Sequence, residues 1–262
     1  MSHPRIQYFA VAALCVLGLA MRAPSVRAEA ERSVFHSQFD FAEARWERVS
    51  DQDADIQVYR WRPADKELFA FRGEGDVDAP LPRIVGVIAD HSRQKEWVPD
   101  LGESRLVERI SALERIQYLH FKTPFIIKDR DFVVGTQANF DSTTRTMTLD
   151  FASIEDPRVP PTDKIRGKIL HGQYLLQALG DGSKTRVTIQ VYLDPMGSVP
   201  KWLVNATQVG FPRRALRALR DQVTKDDVKE HPLARAAMEG KFHSQTEMLA
   251  WLKTHELGAP FN

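Results

Sequence analysis

The sequence predicts an α+β domain in which one curved antiparallel sheet packs against a long C-terminal helix. Successive segments alternate apolar and polar residues with a period of two, which is typical of strands that bury one face. A short helical pattern interrupts these strands, and the longest helical pattern follows the last of them. No internal repeat, linker or low-complexity run divides the chain.

The first part of the chain is predicted to contain a short helix, two strands and a second helix. Residues 35–45 have helical spacing, whereas residues 56–61 and 68–72 alternate and are separated by turn-forming residues. Two prolines then begin a helix over residues 80–90, because proline is tolerated in a first turn, where an amide has no helical partner.

The second part is predicted to hold the remaining strands and the long helix. The strands begin at residue 106 and continue over residues 115–121, 131–139, 145–153, 167–179 and 185–193, with a proline-rich loop at residues 157–162. Ser198 is the expected N-cap of the long helix, which we expect to bend at Pro212. A final helix is predicted over residues 246–255.

The composition excludes several classes of protein. Of the 262 residues, 43% are hydrophobic and 27% are charged, with 36 Lys and Arg against 35 Asp and Glu. A disordered, collagen-like, disulfide-stapled or polytopic membrane protein would have a different balance. The near-zero net charge also argues against a nucleic-acid partner, which would call for an excess of basic residues.

Enzymatic signatures are equally scarce. The sequence has no nucleophile elbow, no P-loop and no dinucleotide-binding glycine pattern. Its eight histidines are scattered, with no second ligand at the spacing of a metal site. We therefore predict no metal and no other cofactor.

Residues 1–28 have the order of a secretory signal peptide, with a basic start, an apolar stretch and a small residue, Ala28, at the cleavage position. They contain three arginines, no acidic residue and the only cysteine, so the remaining 234 residues carry 33 basic and 35 acidic side chains. We expect an exported, periplasmic protein without disulfides. The alternative is an uncleaved anchor, although the apolar stretch is shorter than the roughly 20 residues of a bilayer span.

Three segments in this order resemble the START domain, the steroidogenic-acute-regulatory-related lipid-transfer family. They are residues 90–97 (DHSRQKEW), residues 128–133 (KDRDFV) and residues 194–205 (DPMGSVPKWLVN). The third is similar to the phosphatidylcholine-transfer branch. The resemblance implies a helix-grip fold, in which the sheet wraps around the C-terminal helix and encloses a lipid or sterol. We assign residues 29–225 to this lipid-binding domain and residues 226–262 to a helical extension.

The resemblance also implies ligand-binding positions. One face of the long helix, formed by Trp202, Leu203, Ala206 and Val209, would be the apolar lid over the ligand. The alternative is that these residues only pack the core.

Arg130 and Asp131 match an Arg-Asp pair of the family. One of them would anchor a polar headgroup, and the alternative is a structural ion pair at a strand entry. Trp97 would contact the ligand or serve as a core aromatic. A choline headgroup is not expected, because Val98 follows Trp97 where the phosphatidylcholine branch has a carboxylate.

Four arginines beyond the bend, Arg213, Arg214, Arg217 and Arg220, form a basic strip. It would dock the protein on anionic lipid, unless it is only the solvated side of an amphipathic helix. We expect a monomer that contacts membranes transiently.

The resulting hypothesis is a carrier that binds a lipid or sterol-like ligand in an internal cavity and transports or presents it. An alternative is a cyclase- or hydrolase-type enzyme that uses the same cavity, with Asp131, His120 and Arg130 as candidate acid–base groups. A third reading is a filled cavity and a protein-interaction role.

Overall fold

Alternating residues build one sheet of ten strands in the computed structural model, which describes residues 39–49, 55–123, 127–255, 257 and 261. The predicted signal peptide lies outside the described residues. The strands are β1 Glu47–Val49, β2 Ile56–Trp61, β3 Ala70–Val77, β4 Leu101–Arg109, β5 Glu114–Phe121, β6 Arg130–Asp141, β7 Thr146–Ser153, β8 Ile165–Arg166, β9 Lys168–Leu179 and β10 Lys184–Asp194. The helices are α1 Leu81–Ala89, α2 Lys201–Gln208, α3 Phe211–Val223, α4 Pro232–Met238 and α5 Gln245–Leu252.

The strand order is β1-β2-β3-β10-β9-β7-β6-β5-β4, with β8 beside β6. All neighbours along this path are antiparallel, whereas β8 pairs with β6 in parallel. The connection from β3 to β4 crosses the sheet and carries α1. The predicted curved antiparallel sheet around a C-terminal helix is confirmed.

The main core forms where α1 and α3 pack on one face of the sheet, called here the inner face. The predicted apolar stripe of α3 is buried, with Leu216 and Leu219 fully enclosed. They join Ile84 and Val85 of α1 and inner-face residues such as Ile189 in one cluster. Burial of side chains of this size is worth about 1.5–3 kcal/mol each, so this cluster fixes α1 and α3 on the sheet.

The long helix predicted after residue 198 is two helices. Ser198 is not its cap, because α2 begins at Lys201 with Pro200 in the N-cap position. The chain turns at Val209 and Gly210, just before the expected bend, and Pro212 lies in the first turn of α3, where no amide is needed. At the other end, the described part of the helix predicted over residues 35–45 is a single 3₁₀ turn, Phe41–Glu43, capped by Asp40.

The C-terminal residues form a second core on α1 and the β4–β5 connection. Leu233, Phe242 and Met248 pack together with Leu257 and Phe261. α4 was not predicted, because seven residues rich in alanine carry too little periodicity. Nothing in the described residues forms a helix that is both long enough and apolar enough to cross a membrane.

The C-terminal segment lies against α1 at Gly86. A Cβ atom at this position would come within 1.9 Å of the carbonyl oxygen of Lys229, which is backbone and has little freedom to move. The guanidinium of Arg83 strengthens this contact by donating to the carbonyl oxygens of Val223, Lys225 and Val228 at 2.6–3.1 Å.

We therefore expect Gly86→Ala to lower the free energy of unfolding by about 1–3 kcal/mol, since overpacking forces the backbone apart. The melting temperature should fall by roughly 2–4 °C per kcal/mol for a domain of this size. Gly210→Ala is the matched control, because nothing lies within 4 Å of the added methyl group. Equal melting temperatures for the two variants would show that the Lys229 backbone is not held against α1.

Candidate functional site

Polar side chains on the inner face of β5 are buried beneath α1. Arg115 donates from Nη1 to the carbonyl oxygen of Ala89 at 2.7 Å and from Nη2 to that of Ile88 at 3.2 Å. Gln94 donates to the same Ile88 carbonyl at 3.1 Å. These bonds satisfy carbonyl groups that the end of α1 leaves without helical partners, and they place a positive charge at the negative end of the helix dipole.

A side-chain network continues along the same face. Ser104 donates to Oε1 of Gln94 at 2.8 Å, and Gln117 donates to that same oxygen at 3.2 Å. Gln94 and Gln117 are both buried. The interior under α1 is therefore polar, although most of the core beside it is apolar.

A small, partly open cavity of about 40 Å³ lies next to this network. Val85 and Ala89 of α1 form one wall, and Leu233 with Phe261 of the C-terminal segment forms another. The polar side chains that line the cavity are those of Arg109, Glu114, Arg115, Thr136 and His231.

Electrostatics in the cavity are dominated by the two arginines. Burial lowers the pKa of Arg115 to about 10, and the nearby charge of Arg109 adds to this effect. Burial likewise lowers the pKa of Arg109. Burial, together with both arginines, lowers the pKa of His231 to about 4, so this imidazole is neutral at pH 7. The surroundings of the cavity are positively charged.

Sequence reasoning did not single out Arg109, Arg115 or His231. The sequence could have indicated that Arg115 points inward, because this arginine lies two residues before Gln117 and therefore on the same face of an alternating strand. The signal for His231 was absent, since the residue reaches the cavity only through the fold of the C-terminal segment.

Arg130 lies on the inner face, as the alternation with Phe132 indicates, and is buried. Its guanidinium donates to the carbonyl oxygens of Pro195 at 3.2 Å and Met196 at 3.3 Å, and also to that of Lys128. It thus holds the turn that leads from β10 into α2. No carboxylate pairs with it among the described side chains.

Asp131 lies on the opposite, outer face and is fully buried. Arg166 donates to it through Nε at 2.8 Å, and the hydroxyl of Thr162 donates at 2.8 Å. Burial alone would raise the pKa of Asp131, but these hydrogen bonds outweigh it and hold the pKa below its usual value. Arg130 and Asp131 therefore form no ion pair with each other, and Asp131 instead fastens the loop at residues 157–162.

Trp97 is 4% exposed and belongs to the main core. Its indole Nε1 is buried and has no hydrogen-bond partner in the part of the chain that the structure describes. Arg93, at the start of the same segment, is turned to the surface side and pairs with Glu96 at 3.0 Å and Asp227 at 3.1 Å. This placement agrees with the interpretation of Trp97 as a core aromatic. Contact between Trp97 and a ligand stays a prediction.

The helix face proposed as a lid is largely outside the core. Trp202 is 71% exposed, Ala206 is exposed, and Leu203 and Val209 are half-buried. α2 buries only Val204 fully. The side chain of Asn205 holds the helix in place, since it accepts a bond from Phe69 N and donates to Glu67 O, both at 3.0 Å.

The arginines of the basic strip differ in their contacts. Arg220 donates to the carbonyl oxygens of Asp76 and Asp55, so it joins α3 to the sheet. Arg214 pairs with Asp100 at 2.9 Å and its side chain is half exposed. Arg217 is exposed and Arg213 is half-buried. Arg220 is thus a structural residue, Arg214 and Arg217 are exposed on α3, and Arg213 is half-buried with its Nε atom enclosed.

The remaining acid–base candidate, His120, contacts Asp129 at 2.7 Å beside the start of β6. His120, Arg130 and Asp131 do not line the cavity described above. Among the described residues, no three His, Cys, Asp or Glu side chains are grouped closely enough to hold a metal ion.

Comparison with known proteins gives consistent matches. The model of the START domain family matches residues 26–222. An uncharacterised protein of Pseudomonas aeruginosa is 30% identical over 69% of this chain and 87% of its own length. Mouse phosphatidylcholine transfer protein is 28% identical over 64% of this chain and 79% of its own length.

A solved structure shows the same similarity in three dimensions. It is the STAR-related lipid transfer protein of Xanthomonas axonopodis, solved as a fragment. It is 29% identical, with a TM-score of 0.61, and the alignment covers 69% of this chain and 99% of that chain.

The structure predicts that Asp131 stabilises the fold. Asp131→Asn should lower the free energy of unfolding at pH 7 by about 1–3 kcal/mol, because it leaves Arg166 without its buried charged partner. The folded-state pKa of Asp131 is lowered, so its stabilisation is present above its unfolded pKa of about 3.9 and is lost as the pH falls through the folded value. The difference between wild type and variant should therefore shrink below about pH 4.

Urea denaturation at several pH values measures this effect. Asp163→Asn is the control, because the side chain of Asp163 is 89% exposed and pairs with its neighbour Lys164 at the surface. A pH-independent difference for Asp131→Asn, or an equal one for Asp163→Asn, would contradict the assignment.

Proposed function

Since the chain belongs to the START domain family, we propose that it binds a lipid or sterol-like hydrophobic molecule between the sheet and its helices and carries or presents that molecule. The observation that carries this proposal is the family match over residues 26–222. Relatives named phosphatidylcholine transfer protein and STAR-related lipid transfer protein support it.

The inner face supplies apolar surface suited to such a ligand. Near the start of β6, Phe132 and Val134 are buried, whereas their neighbours Leu119, Phe121 and Phe151 are only partly covered. Partly covered aromatic and aliphatic side chains give a bound lipid apolar contacts, at roughly 25 cal/mol per Å² of apolar area removed from water. The carrier function needs this gain because the ligand must cross water.

α2 is the element best suited to move aside. It is eight residues long and buries one side chain fully, whereas α3 buries six. Segments with few buried apolar contacts open at low free-energy cost. We propose that displacement of α2, with its residues Trp202, Leu203 and Ala206 and with Val209 at its end, admits the ligand.

Membrane docking would use the same region. Trp202 is an exposed indole, and such side chains favour the membrane–water interface. Arg213, Arg214 and Arg217 follow on α3, and basic residues contribute about 1 kcal/mol each close to an anionic surface. We propose that the protein acts as a monomer that binds membranes transiently.

We also propose export to the periplasm, with residues 1–28 as the leader. N-terminal sequencing of the protein from its own host tests this proposal. A first residue at Glu29 supports it, and a chain that retains Met1 at the membrane supports the anchor alternative.

The first functional prediction concerns the bound molecule. Native mass spectrometry of the protein purified from its own host should show a mass excess that lipid extraction identifies as one or a few apolar molecules. At a ligand concentration 100 times the dissociation constant, binding contributes about 2.7 kcal/mol, which should raise the melting temperature by roughly 5–10 °C. The absence of any co-purifying apolar ligand, combined with no shift from a broad lipid panel, would contradict carriage.

The second functional prediction concerns docking on vesicles of phosphatidylglycerol and phosphatidylcholine. Replacing Arg213, Arg214 and Arg217 by Gln should weaken binding at least tenfold at low salt, with a smaller effect at high salt because ions screen these charges. Trp202→Ala should weaken binding at every salt concentration, because its contribution is apolar. Vesicle co-sedimentation against salt measures both effects.

Two control variants separate docking from general surface changes. Replacing Arg235, Lys241 and Lys253 by Gln removes the same charge from the C-terminal segment, and Leu249→Ala removes another exposed apolar side chain. Both should bind vesicles as wild type does. If the two triple variants weaken vesicle binding equally, binding depends only on the number of charges removed, which would contradict a specific docking surface.

A further inference from the structure

The cavity beneath α1 presents an unusual set of charges. Arg109 and Arg115 are direct partners in the β4–β5 ladder, and Arg115 is the partner of Thr136 in β6. The three side chains therefore share the inner face, and all of them line the cavity. Like charges directly opposite each other in a sheet destabilise it.

Several polar atoms of the side chains that line this cavity are not used by the described parts of the chain. Nε of Arg115, Nε of Arg109 and Nδ1 of His231 are buried and have no hydrogen-bond partner in the described parts of the chain. Arg115 and His231 are only 9% and 6% exposed. Buried polar groups in native proteins are nearly always hydrogen-bonded, so a group that completes this set is expected.

Neither arginine forms an ion pair with a carboxylate within the described residues, although Asp90 and Glu114 are nearby. Glu114 lines the cavity, but its Oε1 accepts a bond from Gln137 at 3.2 Å. Asp90 is near Arg115, but its carboxylate accepts from the hydroxyl of Ser92 at 2.6 Å. Buried charges normally need partners of opposite sign, so the two arginines call for a negatively charged group.

We propose that Arg109 and Arg115 bind the anionic head of an amphiphilic lipid, a carboxylate or phosphate group, in this cavity. The inference rests on the proposed lipid-binding function and names the chemistry of its ligand. Guanidinium groups bind carboxylate and phosphate oxygens through paired, charge-assisted hydrogen bonds. Arg109 and Arg115 line the cavity with their positive charges, and Thr136 adds a hydroxyl.

The dimensions of the site agree with this chemistry. A volume of about 40 Å³ is room for roughly three water-sized groups, which matches the three heavy atoms of a carboxylate. A phosphate is larger and needs an outward movement of the C-terminal segment, whose His231 and Phe261 form part of the wall.

The track that a lipid tail would follow begins at the same place. Beyond Arg115 and Thr136 the inner face of β5 and β6 passes the buried amide of Gln117 and then reaches the apolar side chains of Leu119 and Phe132. From residue 115 to residue 121 this track is roughly 20 Å long, at 3.3 Å per residue. It ends at the partly covered Leu119 and Phe121, beside Arg130, which holds the turn that leads into α2.

Arg109→Gln is the decisive variant. Arg109 is half-buried and its Nε has no partner to lose, so the variant should fold, which a thermal melt confirms. Arg105→Gln is the matched control on the same strand, because Arg105 is exposed and lies over Tyr118 on the other face. Arg115 is not replaced, since it also holds the end of α1.

The experiment measures the affinity of each protein for oleate, dioleoyl phosphatidic acid, dioleoyl phosphatidylcholine and cholesterol by displacement of a fluorescent apolar probe. Wild type should bind oleate or phosphatidic acid at least tenfold more tightly than cholesterol. Arg109→Gln should remove most of this preference and leave cholesterol within twofold, and Arg105→Gln should match wild type. The better of the two anionic ligands identifies the headgroup.

Other outcomes overturn the proposal in distinguishable ways. Equal binding of anionic and neutral lipids, or an unchanged preference in Arg109→Gln, overturns the anionic site and leaves lipid carriage standing. Binding of none of the four lipids overturns carriage and the site together. Displacement by acetate or inorganic phosphate at the concentrations effective for the lipids assigns the cavity to a small free anion, which also overturns the proposal.

Discussion

The close contact between α3 and the backbone of β3 determines how the interior is divided. A Cβ atom at Gly73 would lie 2.6 Å from Cβ of Pro212, so the helix reaches the sheet only because this position is a glycine. Leu216 and Leu219 then enter the sheet surface formed by β2, β3 and β10. This half of the inner face is filled by the protein itself.

The other half of the inner face, formed by β4, β5 and β6, is covered differently. Val85 and Ala89 of α1, together with Leu233 and Phe261 of the C-terminal segment, form the walls of the cavity against it. The carbonyl groups at the end of α1 point inward, and they attract Arg115 and Gln94 as partners. A polar interior with a small cavity follows from this arrangement, because a helix end needs hydrogen bonds that an apolar core cannot supply.

The separation of α2 from α3 has a similar physical basis. α3 is bound along its whole length by apolar burial and by the bonds of Arg220 to the sheet. α2 depends on Val204, on the amide of Asn205 and on the turn that Arg130 holds. One continuous bent helix would have to move as a unit, whereas the turn at Gly210 lets a weakly held segment move while the core helix stays in place. The proposed lipid entry and the stability of the fold would thereby depend on different helices.

The sequence by itself determined the fold class, most of the strands and the apolar stripe of α3, because strand alternation and helical periodicity are local properties of the chain. It also indicated that Arg130 and Asp131 lie on opposite faces of a strand, although not that each has its own separate structural partners. The break between α2 and α3 at Val209 and Gly210 is set by how the two helices pack, and the periodicity of the sequence carries no information about such packing. The pairing of Arg109 with Arg115, and the approach of His231 from more than 100 residues away, were decided only by the tertiary structure. Strand register and chain return create these contacts between distant segments, and no local pattern in the sequence records them.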